Sequence, residues 1–230
     1  MTNLIAAAVV FVLIHLLISG TRVRDALVGR LGSGPYMGLF SLLSAVVLVW
    51  LGFAFAAARG SPANTAFWGV APATRHIQIG IQFIAVLFIV IGLTTPNPTS
   101  VRQEAVLDRP DAVGGVLRIT RHPFLWGVAL WAVGHLLVNG EIASLILFLS
   151  MLALALLGTA SIDAKRRRAL GAKWEGFAAQ TSNLPFAAIL QGRQKLSIGE
   201  IGWWRIVAGV AVWVILTWTH PYIAGVSALP

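Results

Sequence analysis

Six apolar segments, at about 3–19, 36–58, 76–94, 123–138, 141–160 and 203–220, have the lengths at which a helix crosses a hydrocarbon layer about 30 Å thick. In lipid every backbone N–H and C=O must be satisfied within the protein. The expected fold is therefore all-α, a polytopic membrane helical bundle of about six transmembrane helices. Composition agrees: 57% of residues are hydrophobic, 11% are charged and the mean hydropathy is +0.82, against about 25% charged in an ordinary soluble domain. Residues 1–230 read as one transmembrane domain, without internal repeats, whose sizeable soluble segment is a basic cytoplasmic loop at about 161–202.

Asn139-Gly140-Glu141 joins the fourth and fifth segments as a tight helical hairpin, and Gly20 and Thr95-Pro96-Asn97-Pro98 supply helix stops. The first segment has no Lys or Arg before it, which favours a retained span over a cleaved signal. The net charge of +9 follows topology. Connections 20–35, 95–122 and 161–202 hold 3, 4 and 7 Lys and Arg, together 14 of the 17. By the positive-inside rule these connections are cytoplasmic and both termini face outward. Nucleic acid is not an expected partner; the lipid bilayer is. With no cysteine, thiolate metal sites, disulfides and cysteine nucleophiles are excluded, and metal chemistry must use His, carboxylate or Met.

His122 and His135 fall on one helix, thirteen residues apart, which separates them by about 20 Å along the axis and by about 140° around it. They cannot share one metal. His122, in Arg121-His122-Pro123, stands where the fourth helix leaves the cytoplasmic surface. It reads either as a plain helix start, since Pro is tolerated in the first turn, or as a cavity wall formed with Arg118, Arg121 and the 161–185 loop. His135 in WAVGHLL and His15 in VLIHLL are embedded in uncharged runs, where an ionisable side chain has a partner or a function. Two such imidazoles without cysteine favour haem iron over structural zinc. His76 and His220 stand at the outward ends of the third and sixth segments, on the side of His135, and form with it a second candidate cluster. Most of the nine Trp lie near segment ends, as an aromatic belt does. In residues 161–195 a basic helical run suits anionic lipid, but that attraction does not account for the Thr181-Ser182-Asn183 that precedes Leu184-Pro185-Phe186. These three polar residues are expected to fold over Arg121-His122-Pro123.

RITRHP, WAVGHLLVNG, TSNLPFAAILQGR and the early IHLLISGTRVRDAL together resemble the NnrU family of bacterial membrane proteins, over nearly the whole chain. The same pattern is similar to the 15-cis-zeta-carotene isomerases, membrane haem proteins of plants and cyanobacteria. The resemblance implies a multi-pass protein of the bacterial inner membrane that binds haem b. It implies a link either to denitrification and nitric oxide metabolism or to cis-trans isomerisation of a hydrophobic carotenoid. It places the haem ligands at His15 and His135, and Ala132 stands where those isomerases carry an alternative cysteine ligand. Depth along the spans instead offers His76 or His220 as the second ligand, because His15 lies toward the cytoplasmic edge and His135 toward the opposite one. More distantly, RHPxxxG followed by a basic loop resembles the isoprenylcysteine carboxyl methyltransferases. The chain departs from that pattern at Leu125, at Leu170-Gly171 with Trp174 beyond, and at a single Asp163 where two glutamates are expected. Three readings stand: a haem protein, a membrane methyltransferase or reductase with a cofactor near Arg121 and His122, and a non-catalytic membrane assembly partner.

Overall fold

The computed structural model describes residues 1–229, and among them it is helical with no strand beyond an isolated bridge between Ala66 and Glu141. The first span is α1 (Thr2–Leu13), continued by a π-helical turn (Ile14–Ile18). The chain then bends by 74° into α2 (Arg22–Leu31), whose N-terminus is capped by Thr21 Oγ1 accepting from the Val23 N–H at 3.2 Å. The remaining long helices are α3 (Ser33–Arg59), α4 (Pro72–Thr94), α5 (Pro123–Val138), α6 (Ile142–Leu170) and, after two short ones, α9 (Trp203–Ala224). The short helices α7 (Ala172–Gln180) and α8 (Ala187–Leu190) lie between α6 and α9.

Four helices, α3, α4, α6 and α9, are long and apolar enough to cross a membrane, and the bent α1–α2 pair makes a fifth. This is a multi-pass membrane protein. The expectation of about six spans needs one correction. Helix α5 has 16 residues, about 24 Å, and falls short of the hydrocarbon thickness. It can be short because its inner end begins inside protein rather than at the lipid surface: His122, just before its first residue, is 2% exposed. The basic segment at 161–202 opens with the helical run its sequence suggests. The run Ala164–Arg168 consists largely of good helix formers, and α6 continues through it to Leu170.

The helices pack in the order α3, α1, α6, α5, α4, α9, with α3 also reaching α6. Small residues set the α4–α5 spacing. A Cβ added to Gly92 would lie 2.5 Å from the Phe124 nitrogen, and one added to Gly127 would lie 2.8 Å from both the Ala85 oxygen and the Ile89 nitrogen. Backbones can approach this closely only without side chains there, as at many membrane helix contacts. A first core joins Leu4, Ala7 and Phe11 of α1 to Leu51 and Ala54 of α3 and to Ala143 of α6.

Two of the three basic connections, 95–122 and 161–202, pack together at one end of the bundle into a cap with its own core, in which Val116, Leu117, Ile119, Trp174, Phe177 and Ile201 are buried. Glu200 staples this cap: it accepts from both Arg118 Nε (2.7 Å) and Nη2 (3.0 Å) and from the Gly115 N–H (3.0 Å). Arg118, and after it the Gly115 amide, hold the Glu200 carboxyl down at about 2. At the opposite end the 60–71 segment is sewn to the α5–α6 turn, with Phe67 N–H donating to Gly140 O (3.0 Å) and Ile142 N–H to Thr65 O (3.1 Å).

Candidate functional site

The structure gathers the chemistry-bearing residues into two places, one at each end of α5. At the cap end, Arg121 donates to Asp163 of α6 from Nε (3.0 and 3.1 Å) and from Nη2 (2.5 Å). The buried His122 shares the same carboxylate, its Nε2 lying 2.7 Å from Asp163 Oδ1. The Arg121 guanidinium also lies over the Trp174 ring, 5.9 Å from its centroid. Backbone and hydroxyl groups complete the knot. Arg121 N–H donates to Ser182 O (2.9 Å), Thr120 Oγ1 to Asn183 O (2.5 Å) and Asn97 Nδ2 to Arg121 O (3.0 Å). Asn183 in turn donates to Thr159 Oγ1 (2.8 Å), and the Trp126 indole to Asn183 O (2.8 Å).

The 181–183 segment thus folds over Arg121-His122-Pro123, and the polarity that lipid attraction leaves unexplained is spent on these bonds. Burial pushes His122 below its ordinary value of 6.5, although Asp163 pulls the other way, so the neutral ring is favoured. Sequence reasoning missed Asp163 as the acid that binds the pair. Its signal was a lone carboxylate just ahead of a basic helical run, forty-one residues from His122. With the Asp163 carboxylate shared between Arg121 and His122 and the 181–183 backbone bonded across it, this knot reads as a latch for the cap.

At the opposite end of α5, His135 Nδ1 lies 2.8 Å from Trp131 O of its own helix, and Gln82 Nε2 of α4, which donates to Trp131 O (3.0 Å), lies 3.0 Å from the same nitrogen. That anchoring leaves Nε2 without a partner among the described residues. The ring stacks on Phe148 of α6 (centroids 4.6 Å, 19° between planes) and meets Trp131 at 4.8 Å. His220 of α9 lies alongside, its centroid 6.4 Å from that of His135 and its plane turned by 25°. His220 is anchored in the same way, with Nδ1 on Val226 O at 2.7 Å. Phe55 of α3 extends the row by packing edge-on to Phe148 at 6.5 Å. An aromatic row therefore crosses α3, α6, α5 and α9 near the end opposite the cap, with the Arg59 guanidinium over its Phe55 end, 5.9 Å from the ring centroid.

The other two histidines stand apart. His76 is exposed in the first turns of α4 and bonds to Pro72 O (2.8 Å). His15 sits in the π-helical turn with both nitrogens used, Nδ1 on Phe11 O (2.8 Å) and Nε2 on Ser44 Oγ (3.0 Å), and its ring packs between Phe11 and Phe40. The structure does not bring His15 to His135. Gly20 abuts Ser161 whereas His135 abuts Phe148, positions about 20 Å apart along α6. His15 lies only about 8 Å above Gly20, so roughly 12 Å of depth separates the two rings. Among the described residues no group of three or more His, Asp or Glu converges as a metal-ion site.

Comparison with known proteins matches the chain to named relatives. The chain is 30% identical over 138 residues to the chloroplastic 15-cis-zeta-carotene isomerase of Arabidopsis thaliana, covering 57% of this chain and 38% of that protein. It is 31% identical over 112 residues to the enzyme of the same name from Zea mays, covering 47% and 31%. The chain thus spans less than two fifths of the length of these curated relatives. No solved structure matches it. The family model described as NnrU protein matches residues 3–228, nearly the whole chain, and the protein belongs to that family.

Proposed function

We propose that this protein is a membrane haem protein that isomerises a double bond of a long hydrophobic polyene, with His135 as the residue that holds the haem iron. The observation that carries the reading is the state of His135. Its Nδ1 faces the Trp131 carbonyl at 2.8 Å; with the ring proton on that nitrogen, Nε2 is left free to donate to a metal, the arrangement usual for a metal-bound imidazole.

A b-type haem would be held at the His135–His220 end of α5 rather than at His15. His135 and His220, whose ring centroids stand 6.4 Å apart, would be the imidazoles that hold the iron. Both offer Nε2. His15 would have to give up Ser44 to ligate anything, and it lies at another depth. We therefore name His220 as the second ligand. Bound haem would supply a redox-active iron beside the substrate. The chain's own groups do the rest. Phe148, Trp131 and Phe55 offer flat faces on which a conjugated chain stacks, and Gln82 keeps the His135 ring from turning. The similarity to the isomerases supports the reaction class; the nitric-oxide-linked role implied by the family resemblance would draw on the same haem.

The test is an absorption spectrum of detergent-purified protein expressed with haem supplied, beside single His→Ala variants at 15, 76, 122, 135 and 220. A Soret band that disappears in His135→Ala and shifts in His220→Ala supports the reading, as does conversion of a cis-polyene by the coloured protein. A colourless wild type, or an unchanged band in His135→Ala, refutes it. Nitric oxide added to the ferrous protein tests the second role separately.

A further inference from the structure

The corner where the first span turns into α2 holds a cationic cluster that neither the latch nor the aromatic row uses. Gly20 comes so close to α6 that an added Cβ would lie 2.2 Å from Ser161 Oγ. One turn farther along α6 stand Lys165 and Arg166. The charges that bear most on Lys165 are Arg24 of α2 and Arg166, both cations, and after them Asp25 and Glu104. Each acid is already taken: Asp25 by Arg24 Nη1 (3.3 Å) and Glu104 by Arg166 Nη1. Lys165 makes no hydrogen bond or ion pair among the described residues, although it is half-buried between two arginines.

A second, independent observation points to an absent acceptor. Arg166 is 7% exposed, and while its Nη1 and Nη2 are bonded to Glu104 and to Ser100 O, its buried Nε–H has no partner. A buried guanidinium N–H left unpaired, beside an uncompensated ammonium, is a costly arrangement that an oxyanion would relieve. We propose that this corner binds a phosphate group, with Lys165 as the principal contact and Arg24 and the Arg166 Nε–H as the others. The source that fits the surroundings is the headgroup of an anionic glycerophospholipid. The corner lies at the basic end of the bundle, where the cytoplasmic leaflet presents such groups. Running away from it along α1, Ile5, Val9, Leu13 and Leu17 form an exposed apolar ridge at four-residue spacing, the bed an acyl chain requires.

This assignment is independent of the haem reading, and its test reads lipid rather than colour. Detergent-purified protein is titrated with phosphatidylglycerol, with phosphatidylcholine and with inorganic phosphate, and binding is followed by native mass spectrometry and by thermal shift. Wild type should retain phosphatidylglycerol in preference to phosphatidylcholine. Lys165→Gln and Arg24→Gln should each weaken that binding about fivefold, while Lys165→Arg retains it. Lys195→Gln, an exposed cation elsewhere on the cap, should leave it unchanged. Equal phosphatidylglycerol binding by wild type and Lys165→Gln overturns the site. A shift reproduced in full by inorganic phosphate overturns the lipid assignment. Should Lys165→Gln fold poorly, loss of selectivity in Arg24→Gln decides the matter on its own.

Discussion

Replacing Asp163 with alanine removes the acceptor of four hydrogen bonds at once, three from Arg121 and one from His122. Both partners of the ion pair are 12% exposed, so solvent can do little to replace the lost carboxylate. Leaving a buried guanidinium uncompensated costs about 3–5 kcal/mol. For a chain of this size that corresponds to a fall in melting temperature of roughly 10 °C. Asp163→Asn keeps the shape and one acceptor oxygen and should lose about 2 kcal/mol, the worth of a hydrogen bond to a charged group. Arg121→Met combined with Asp163→Leu removes both charges and should recover much of the loss. The assay is thermal unfolding in detergent followed by circular dichroism, with a Ser182→Cys reporter whose maleimide labelling reads release of the 181–183 segment. If Asp163→Ala loses less than about 1 kcal/mol, or if the double variant is no better than the single one, the latch is not what holds the cap.

Two further outcomes follow from the same geometry. Gly92→Ala and Gly127→Ala place a methyl group against backbone atoms at 2.5 and 2.8 Å and should each cost about 1–3 kcal/mol; Gly52→Ala, with open space around it, should not, and equal melting curves for all three would contradict the α4–α5 packing. Because burial lowers the folded-state value of His122 from 6.5, its contribution to stability is complete above pH 6.5 and is lost as pH falls below that toward the folded value. Melting temperature should therefore drop between pH 6.5 and 5 in wild type and drop less in His122→Gln, and parallel curves would show that another group governs the acid limb.

The apolar spans were legible because lipid imposes a long, simple pattern, and their boundaries survive in α1, α3, α4 and α9 within a few residues. The shortness of α5 could be counted in the sequence, but its reason could not. That reason is a contact between His122 and a carboxylate forty-one residues away, and no local periodicity encodes such a pairing. The cap core was hidden for a related cause: Val116, Leu117, Ile119, Trp174 and Phe177 lie in short segments that individually read as loop. The polar 181–183 run was visible because its residues had no reason to be there in lipid. At the outward end, His135 and His220 could be placed at one depth by counting, and the structure sets them side by side, while His76 stays in the first turns of α4.

Helix α6 carries both Asp163 and Phe148, fifteen residues or about 22 Å apart and only about 60° apart around the axis. It runs for 29 residues without a break, so the two side chains belong to one stiff strut. A twist of about 10° applied at the latch would carry a ring standing about 6 Å from the axis through about 1 Å. That is enough to change how Phe148 lies on His135. Whatever grips or releases the cap therefore has mechanical leverage on the far end of the bundle, and a partner that never enters the bilayer could shift the packing around His135.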